Sequence, residues 1–328
     1  MSVPLPHAAI SGADSGFVAT RATNLLASLD HLGILHFSGE DAESFLQGQL
    51  SCDVGSIQSS RSTHGAYCSP KGRMLANFLL WREEAGFAMA LSRDILGAVH
   101  RRISMFVLRS RVKISDASGS VVLLGIAGPG ADGALRGILG GLPGRSGEIF
   151  RAPGLGTAIR LVDGRLILAS VPPVAASLRQ QLAGTFRDVG SQVWRWLDIR
   201  SGLPLITAPT QDQLVPQMAN LELLDGVSFD KGCYTGQEIV ARTQHLGKVK
   251  RRMFIANVAA AAGAGDPLYS EDLGDQASGL VVNAEPSPDG GHDVLAVVQT
   301  ASHDRSVVHL KSLSGPVLHF HALPYAIM

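Results

Sequence analysis

The sequence predicts an α+β fold with mostly antiparallel sheets, followed by a small all-β unit. Three observations carry that expectation. Up to about residue 250, apolar runs of strand length mix with amphipathic helices, and several of those runs are joined by tight turns. From about Arg252 onward helical periodicity disappears, and short apolar runs recur between Gly, Pro, Ser and Asp turns. The 328 residues, 45% of them hydrophobic, suffice for one large or two to three smaller cores.

Residues 1–28 are polar and irregular, which predicts a loose arm. Ile34–Phe37 reads as a short strand. Ser38 is placed as an N-cap for a helix over Asp41–Leu50, where Ala42, Phe45, Leu46 and Leu50 share one face. Gly65–Tyr67 and Met74–Trp81 read as antiparallel strands around the turn Ser69-Pro-Lys-Gly72, with Phe87–Leu91 as another strand. Ile95, Leu96, Val99, Ile103, Phe106 and Val107 mark an amphipathic helix over roughly 93–108. Strands at Val112–Ile114 and Val121–Ile126 and a helix at Ala131–Leu139 follow. Ala158–Val162 and Arg165–Ser170 make a hairpin across Asp163-Gly164. Helices near 174–186 and 191–200 close this region. The last unit, 249–328, holds apolar runs at Met253–Val258, Gly279–Val282, Val294–Val298, Val307–Leu310 and Val317–Phe320, the pattern of a barrel or sandwich.

Lys+Arg and Asp+Glu balance at 28 each, so bulk charge favours neither nucleic acid nor membrane; such affinity has to come from a local patch. Three cysteines (Cys52, Cys68, Cys233) form no CxxC pair, as in a reducing compartment. No presequence and no stretch near the roughly 18 apolar residues of a membrane span is evident, so the expected location is cytoplasmic, with no membrane partner.

Gly128-Pro-Gly-Ala-Asp-Gly133 matches a dinucleotide-binding fingerprint. That reading needs an acidic residue on a following parallel strand. Glu148 has the right distance, but the Pro- and Gly-rich stretch 141–147 precedes it. A glycine-tolerant strand-to-helix turn explains the run better. His319 and His321 alternate on a strand; two imidazoles alone make no metal site, and they read as a surface pair.

Asp225–Arg252 is the densest concentration of chemistry. Lys231, Cys233, Tyr234, Gln237, Glu238 and Arg242 stand around Gly232 and Gly236, which permit positive φ and close approach of a ligand. A free cysteine beside a lysine can have a more available thiolate, although a free cysteine taken alone is more often a small buried hydrophobe.

Lys231-Gly-Cys-Tyr-Thr-Gly-Gln-Glu238, continuing Ile-Val-Ala-Arg242, resembles residue for residue the signature of the YgfZ family. Phe45-Leu-Gln-Gly-Gln-Leu-Ser-Cys-Asp-Val54, Ser69-Pro-Lys-Gly-Arg73, Asp198-Ile-Arg-Ser-Gly-Leu-Pro204 and Val215-Pro-Gln-Met-Ala-Asn-Leu221 resemble other segments of that family. The resemblance spans residues 34–252. It implies a fold like the glycine-cleavage T-protein: a clover-leaf of three domains around a central channel, with two interleaved α+β subdomains over 29–248 and a C-terminal β-barrel. It implies tetrahydrofolate, or a one-carbon derivative, as the bound cofactor. It also implies a role in iron–sulfur cluster assembly or repair, with iron–sulfur enzymes or cluster carriers as partners, among them enzymes that thiolate tRNA.

On this resemblance Cys233 is the functional thiol, with Lys231 beside it. A pterin offers a row of N–H donors to a carboxylate, and the glutamate tail calls for Lys or Arg. Glu238 is similar by position to the acid of the T-protein's Tyr-Thr-Gly-Glu segment, after a one-residue shift, and Glu222 and Asp198 are alternative acceptors. Tyr234, Gln237, Arg200, Asn220 and Arg242 complete the candidate binding set; ordinary salt bridging at an interface is the plainer reading of the charged members. The acidic pair of T-proteins aligns with Ala76 and Asn77, neither of which is a base near neutral pH. An accessory role is therefore favoured over aminomethyl or other C1 transfer, which stays as the alternative. Lys248, Lys250, Arg251 and Arg252 form a basic run that could meet a polyglutamate tail, an acidic protein or tRNA phosphates; a solvated strand edge is the plainer reading.

Overall fold

The computed structural model describes residues 23–245 and 249–327; residues 1–22 of the arm expected over 1–28, and Lys248, lie outside the described residues. The strands form three sheets. β1 (Leu25–Ser28) opens the first, and the chain leaves it at once to build the second. That second sheet comprises β2 (Leu32–Ser38), β3 (Ser62–Cys68), β4 (Met74–Glu83), β5 (Gly86–Ser92) and β6 (Lys113–Asp116), in the order β3-β4-β5-β2-β6. The chain then returns with β7 (Val122–Ala127), β8 (Ile149–Ala152), β9 (Gly156–Arg160), β10 (Leu166–Ser170) and β11 (Arg187–Val189), giving the order β11-β1-β7-β10-β9-β8. Two sheets interleaved in sequence result. All their ladders are antiparallel except β1 with β11.

Leu25–Ser28, expected in the irregular arm, is an interior strand instead. Leu25, Leu26 and Ala27 are buried, and the strand is paired on both sides. A four-residue strand is too short to declare a period of two, so tertiary pairing decides it.

The helices of this part are α1 (Ala42–Gln47), α2 (Arg93–Ser104), α3 (Ala131–Leu139), α4 (Pro172–Leu182), α5 (Ser191–Arg200) and α6 (Gln237–His245). α1 is shorter than expected and Ser38 does not cap it: Ser38 ends β2, and Asp41 stands at the N-cap position without a side-chain cap. The Asp41 carboxylate instead accepts the Arg111 backbone N–H at 2.7 Å. α2 ends four residues early, where the chain leaves the helix and Leu108 takes a left-handed φ of 34°. The Gly128 run is a plain strand-to-helix turn: Gly128 has φ +122° against Asn24, and the Gly130 N–H is spent on Asn24 Oδ1 at 2.8 Å.

The third sheet is built from β12 (Arg251–Val258), β13 (Pro267–Ser270), β14 (Ala277–Pro286), β15 (His292–Gln299), β16 (Val308–Leu310) and β17 (Leu318–His321), with α7 (Thr300–Arg305) between β15 and β16. Its order, β16-β13-β14-β15-β12-β17, is that of a curled half-barrel, not the closed barrel expected. β16 and β17 would have to pair to close it, and between the segments that carry them there is one isolated bridge, His309 to Val317. The intervening chain turns through Lys311 at φ 68° and reaches Pro316, which has no N–H to give a ladder. Among the described residues no helix is long and apolar enough to cross a membrane.

Candidate functional site

The signature loop is held from beneath by its own lysine. The Lys231 ammonium donates to three main-chain carbonyls, Gln47 O at 2.6 Å, Leu50 O at 2.6 Å and Cys52 O at 2.9 Å. An ammonium has three donors, so all are used. They close the C-terminal end of α1 and the turn after it, where carbonyls lack helical partners. Burial lowers the Lys231 pKa, with Cys52 and Asp53 opposing. The sequence reading placed Lys231 beside the thiol as a reactive partner. In the structure it is a buried structural cation, while Cys233 is exposed. Cys52 and Cys68 are buried, and burial pushes both thiols up to about 12.

Two glycines dock the loop on the Ser69–Arg73 turn. Gly236 has φ +83°, and a Cβ there would stand 2.4 Å from Ser69 O; Gly72 has φ +68°, and its Cβ would meet Ile239 at 2.8 Å. Gly232 has neither a positive φ nor a near neighbour, so only one of the signature's two glycines is sterically required. Tyr234 is buried, its hydroxyl lacking a hydrogen-bond partner, and burial raises its pKa. Gln237 Oε1 accepts the Tyr234 backbone N–H at 3.1 Å, fixing the entry to α6. Glu238 and Arg242, one turn apart on α6, are both exposed.

A different part of the candidate set lines an interior hollow. It lies between β3, β4 and β5 of the second sheet and the Leu161–Ile167 hairpin and α5 of the first, with a cavity volume of about 70 Å³. Phe78, Leu79, Leu161, Ile167 and Trp194 give it an apolar wall, while His64, Asn77 and Asp198 supply its polar groups. Asp198 also borders a neighbouring cavity that reaches Asn283 and Glu285 of the third sheet.

Asp198 is tied to a buried guanidinium. Arg165 donates through Nη2 to Asp198 Oδ1 at 2.6 Å and through Nε to Asp163 Oδ2 at 2.5 Å, and stacks over Trp194 with Cζ 4.2 Å from the ring centroid. Its Nη1 is buried without a partner. Two carboxylates share one cation. Burial pushes Asp198 up to about 6, against the pull of Arg165. Asp163, whose own burial would raise it, is held below the usual range by Arg165 and by Ser201. Burial lowers the His64 pKa against Asp225 and Asp163, so its imidazole is neutral at pH 7.

Asn77 explains why a base is missing from this wall. Its Nδ2 donates to Pro204 O and its Oδ1 accepts the Ile206 N–H, each at 2.7 Å. Both ends of the amide clamp the segment after α5, and Ala76 beside it is fully buried.

The structure gives three other candidates different work. Glu222 is in a buried ion pair with Arg252, which also donates to Gln217 O at 3.0 Å; burial raises the Glu222 pKa against that partner. Asn220 takes φ 55° and holds Met253 O at 2.8 Å. Arg200 lies 3.7 Å from Asp293. Arg252 is thereby removed from the basic run, while Lys250 is exposed and Arg251 half-buried. Sequence reasoning passed over His64, Trp194 and Arg165. Only the Asp163-Gly164 turn flagged that region, and no spacing links positions 64, 165 and 198.

This architecture is the fold of the glycine-cleavage T-protein. The chain superposes on the crystal structure of glycine cleavage system aminomethyltransferase T from Bartonella henselae with a TM-score of 0.78, over 96% of this chain and 90% of that one, at 19% identity. Within that class the relationship is narrower: the chain belongs to the YgfZ family. It is 34% identical over 307 residues, 92% of its length, to the tRNA-modifying protein YgfZ of Sodalis glossinidius (strain morsitans), covering 93% of that relative. No protein-family model matches the chain.

Proposed function

We propose that this protein binds tetrahydrofolate or a one-carbon derivative in the interior hollow. We further propose that it serves iron–sulfur cluster assembly or repair through Cys233, supporting cluster enzymes that include those thiolating tRNA. The family and the T-protein fold support the reading. The observation that carries it is the chemistry of the hollow's wall. A reduced pteridine is flat, with N–H donors on one edge and a carbonyl beside them. Asp198 lines the hollow, and its Oδ2, left over after Oδ1 engages Arg165, is an acceptor for such donors. Trp194, Phe78 and Leu79 supply apolar surface for the ring.

Asp198 is thus the acceptor favoured among the three carboxylates, since Glu222 is spent on Arg252 and Glu238 is on an exposed helix face. When bound, the folate would supply one-carbon or redox chemistry; the chain's residues bind and orient it and keep water from the ring. With Asn77 locked on main chain, the wall offers no carboxylate at the position where T-proteins carry their acid, which favours the accessory role over C1 transfer. The client arm is tested by gene deletion and complementation. Loss of the gene is expected to lower the activity of cluster-dependent tRNA-thiolating enzymes, and Cys233→Ala to fail to restore it. Full rescue by Cys233→Ala would remove the thiol from the account.

A further inference from the structure

A second cavity stands apart from the hollow and is strongly cationic. It is an open cleft of about 490 Å³ between the Ser69–Arg73 turn, the 213–218 segment, α6 and the strands β12, β14 and β15. Lys71, Arg73 and Arg251 line it, and its lining contains no acidic residue. Lys71 and Arg73 share the Ser69–Arg73 turn, and Arg251 joins them from β12 far along the chain, so the cluster is completed only in the fold. The hydrogen bonds of the two arginines go to main-chain carbonyls, Arg73 to Asp212 O at 3.2 Å and Arg251 to Ala277 O at 3.4 Å. Among the described residues, no carboxylate lies within 4.0 Å of any of the three cations. Three uncompensated cations around one concavity raise its potential and concentrate anions there.

The rest of the lining narrows the ligand. Gln213 and Thr243 add neutral hydrogen-bonding groups, and Leu214, Val215, Met218, Ile239, Leu280 and Val297 form an aliphatic floor. There is no aromatic side chain on which a base could stack. Arginine forks and a lysine point charge suit phosphate oxygens. The cleft is also coupled to the signature: Ile239 and Thr243 lie on α6, and the loop that opens α6 carries the exposed Cys233.

We propose that Lys71, Arg73 and Arg251 form a phosphate-binding cleft that seats an RNA backbone, or the phosphates of a free nucleotide, alongside the signature helix. This goes beyond the folate reading and does not depend on it. It also replaces the linear run Lys248–Arg252: Arg252 points inward to Glu222, and Arg251 joins Lys71 and Arg73 instead. Recognition there is of phosphate, hence independent of base sequence.

Fluorescence anisotropy with a labelled, unmodified tRNA transcript, over a salt series and with the full-length protein, tests the proposal. ATP and a poly-glutamate peptide serve as competitors. Lys71→Ala/Arg73→Ala/Arg251→Ala is expected to weaken tRNA binding at least about ten-fold at low salt. It should also flatten the log–log salt slope by about 2–3, roughly one for each phosphate no longer neutralised. The control Arg101→Ala/Arg109→Ala, which removes two exposed charges at the end of α2, should leave both unchanged. Binding of a fluorescently labelled ATP, read by the same anisotropy, that the triple variant abolishes while wild type binds no tRNA, assigns the cleft to a free nucleotide and upholds the phosphate reading. Equal binding of both probes by wild type and triple variant overturns it. So does equal weakening by the control, or displacement by poly-glutamate as effective as by RNA of matched charge. If the triple variant does not fold, Lys71→Ala alone, at an exposed turn, is expected to lower the slope by about one; an unchanged slope overturns the proposal.

Discussion

Replacing Lys231 with methionine separates a structural lysine from a reactive one. Methionine keeps the length of the stem and deletes the ammonium, leaving Gln47 O, Leu50 O and Cys52 O without their shared donor. Hydrogen bonds to a charged group contribute about 1.5–3 kcal/mol each. The bonds to Leu50 O and Cys52 O are buried, while the one to Gln47 O is only partly so and can be replaced by water. Relief from burying a charge offsets part of the loss, so the net cost is about 3–5 kcal/mol. That lowers the melting midpoint by about 4–7 °C for a chain of this size. Urea unfolding followed by circular dichroism measures it, with Cys233→Ala, an exposed site, expected within about 0.5 kcal/mol of wild type. A Lys231→Met protein as stable as wild type would refute the structural assignment and return the lysine to the chemistry of the thiol.

Further expectations concern the turn, the wall and pH. Gly236→Ala forces a side chain at φ +83° against Ser69 O and should cost about 2–4 kcal/mol, read in the same unfolding assay. Asn77→Asp loses the donor to Pro204 O and sets a carboxylate against that carbonyl; about 1–3 kcal/mol of stability should go, with no aminomethyltransferase turnover gained in a coupled folate assay. In the proposed folate site the acceptor of the pteridine N–H donors is the ionised Asp198, whose pKa burial pushes up to about 6. Folate affinity should therefore hold above pH 7 and fall as pH drops through about 6, and Asp198→Asn should lack that dependence in titrations from pH 5 to 8.

The helices and most strands were legible because their apolar residues keep a period, as Ile95, Leu96, Val99 and Ile103 do on α2. β1 was hidden by its four residues, and α6 by burying Val240 alone among its nine residues. An open third sheet was not readable, since closure depends on one pairing that Lys311 and Pro316 interrupt. At the candidate site the signature marked an important loop but not the direction of its side chains: Lys231 turns inward on carbonyls, and Glu238 turns outward. Asp198 was visible through its motif. His64, Arg165 and Trp194 were not: His64 meets Asp198 only when the second sheet closes on α5, Arg165 reaches it from the turn between β9 and β10, and Trp194, one turn away on α5, has no chemistry that marks a site.

The central claim, a reduced folate held by Asp198 inside the hollow, is met most directly by calorimetric titration with tetrahydrofolate at pH 7.5. Wild type and Glu238→Ala are expected to bind alike, and Asp198→Asn, confirmed folded by its unfolding curve, at least about ten-fold more weakly. No heat of binding with wild type, or a loss on Glu238→Ala that Asp198→Asn does not share, would contradict it.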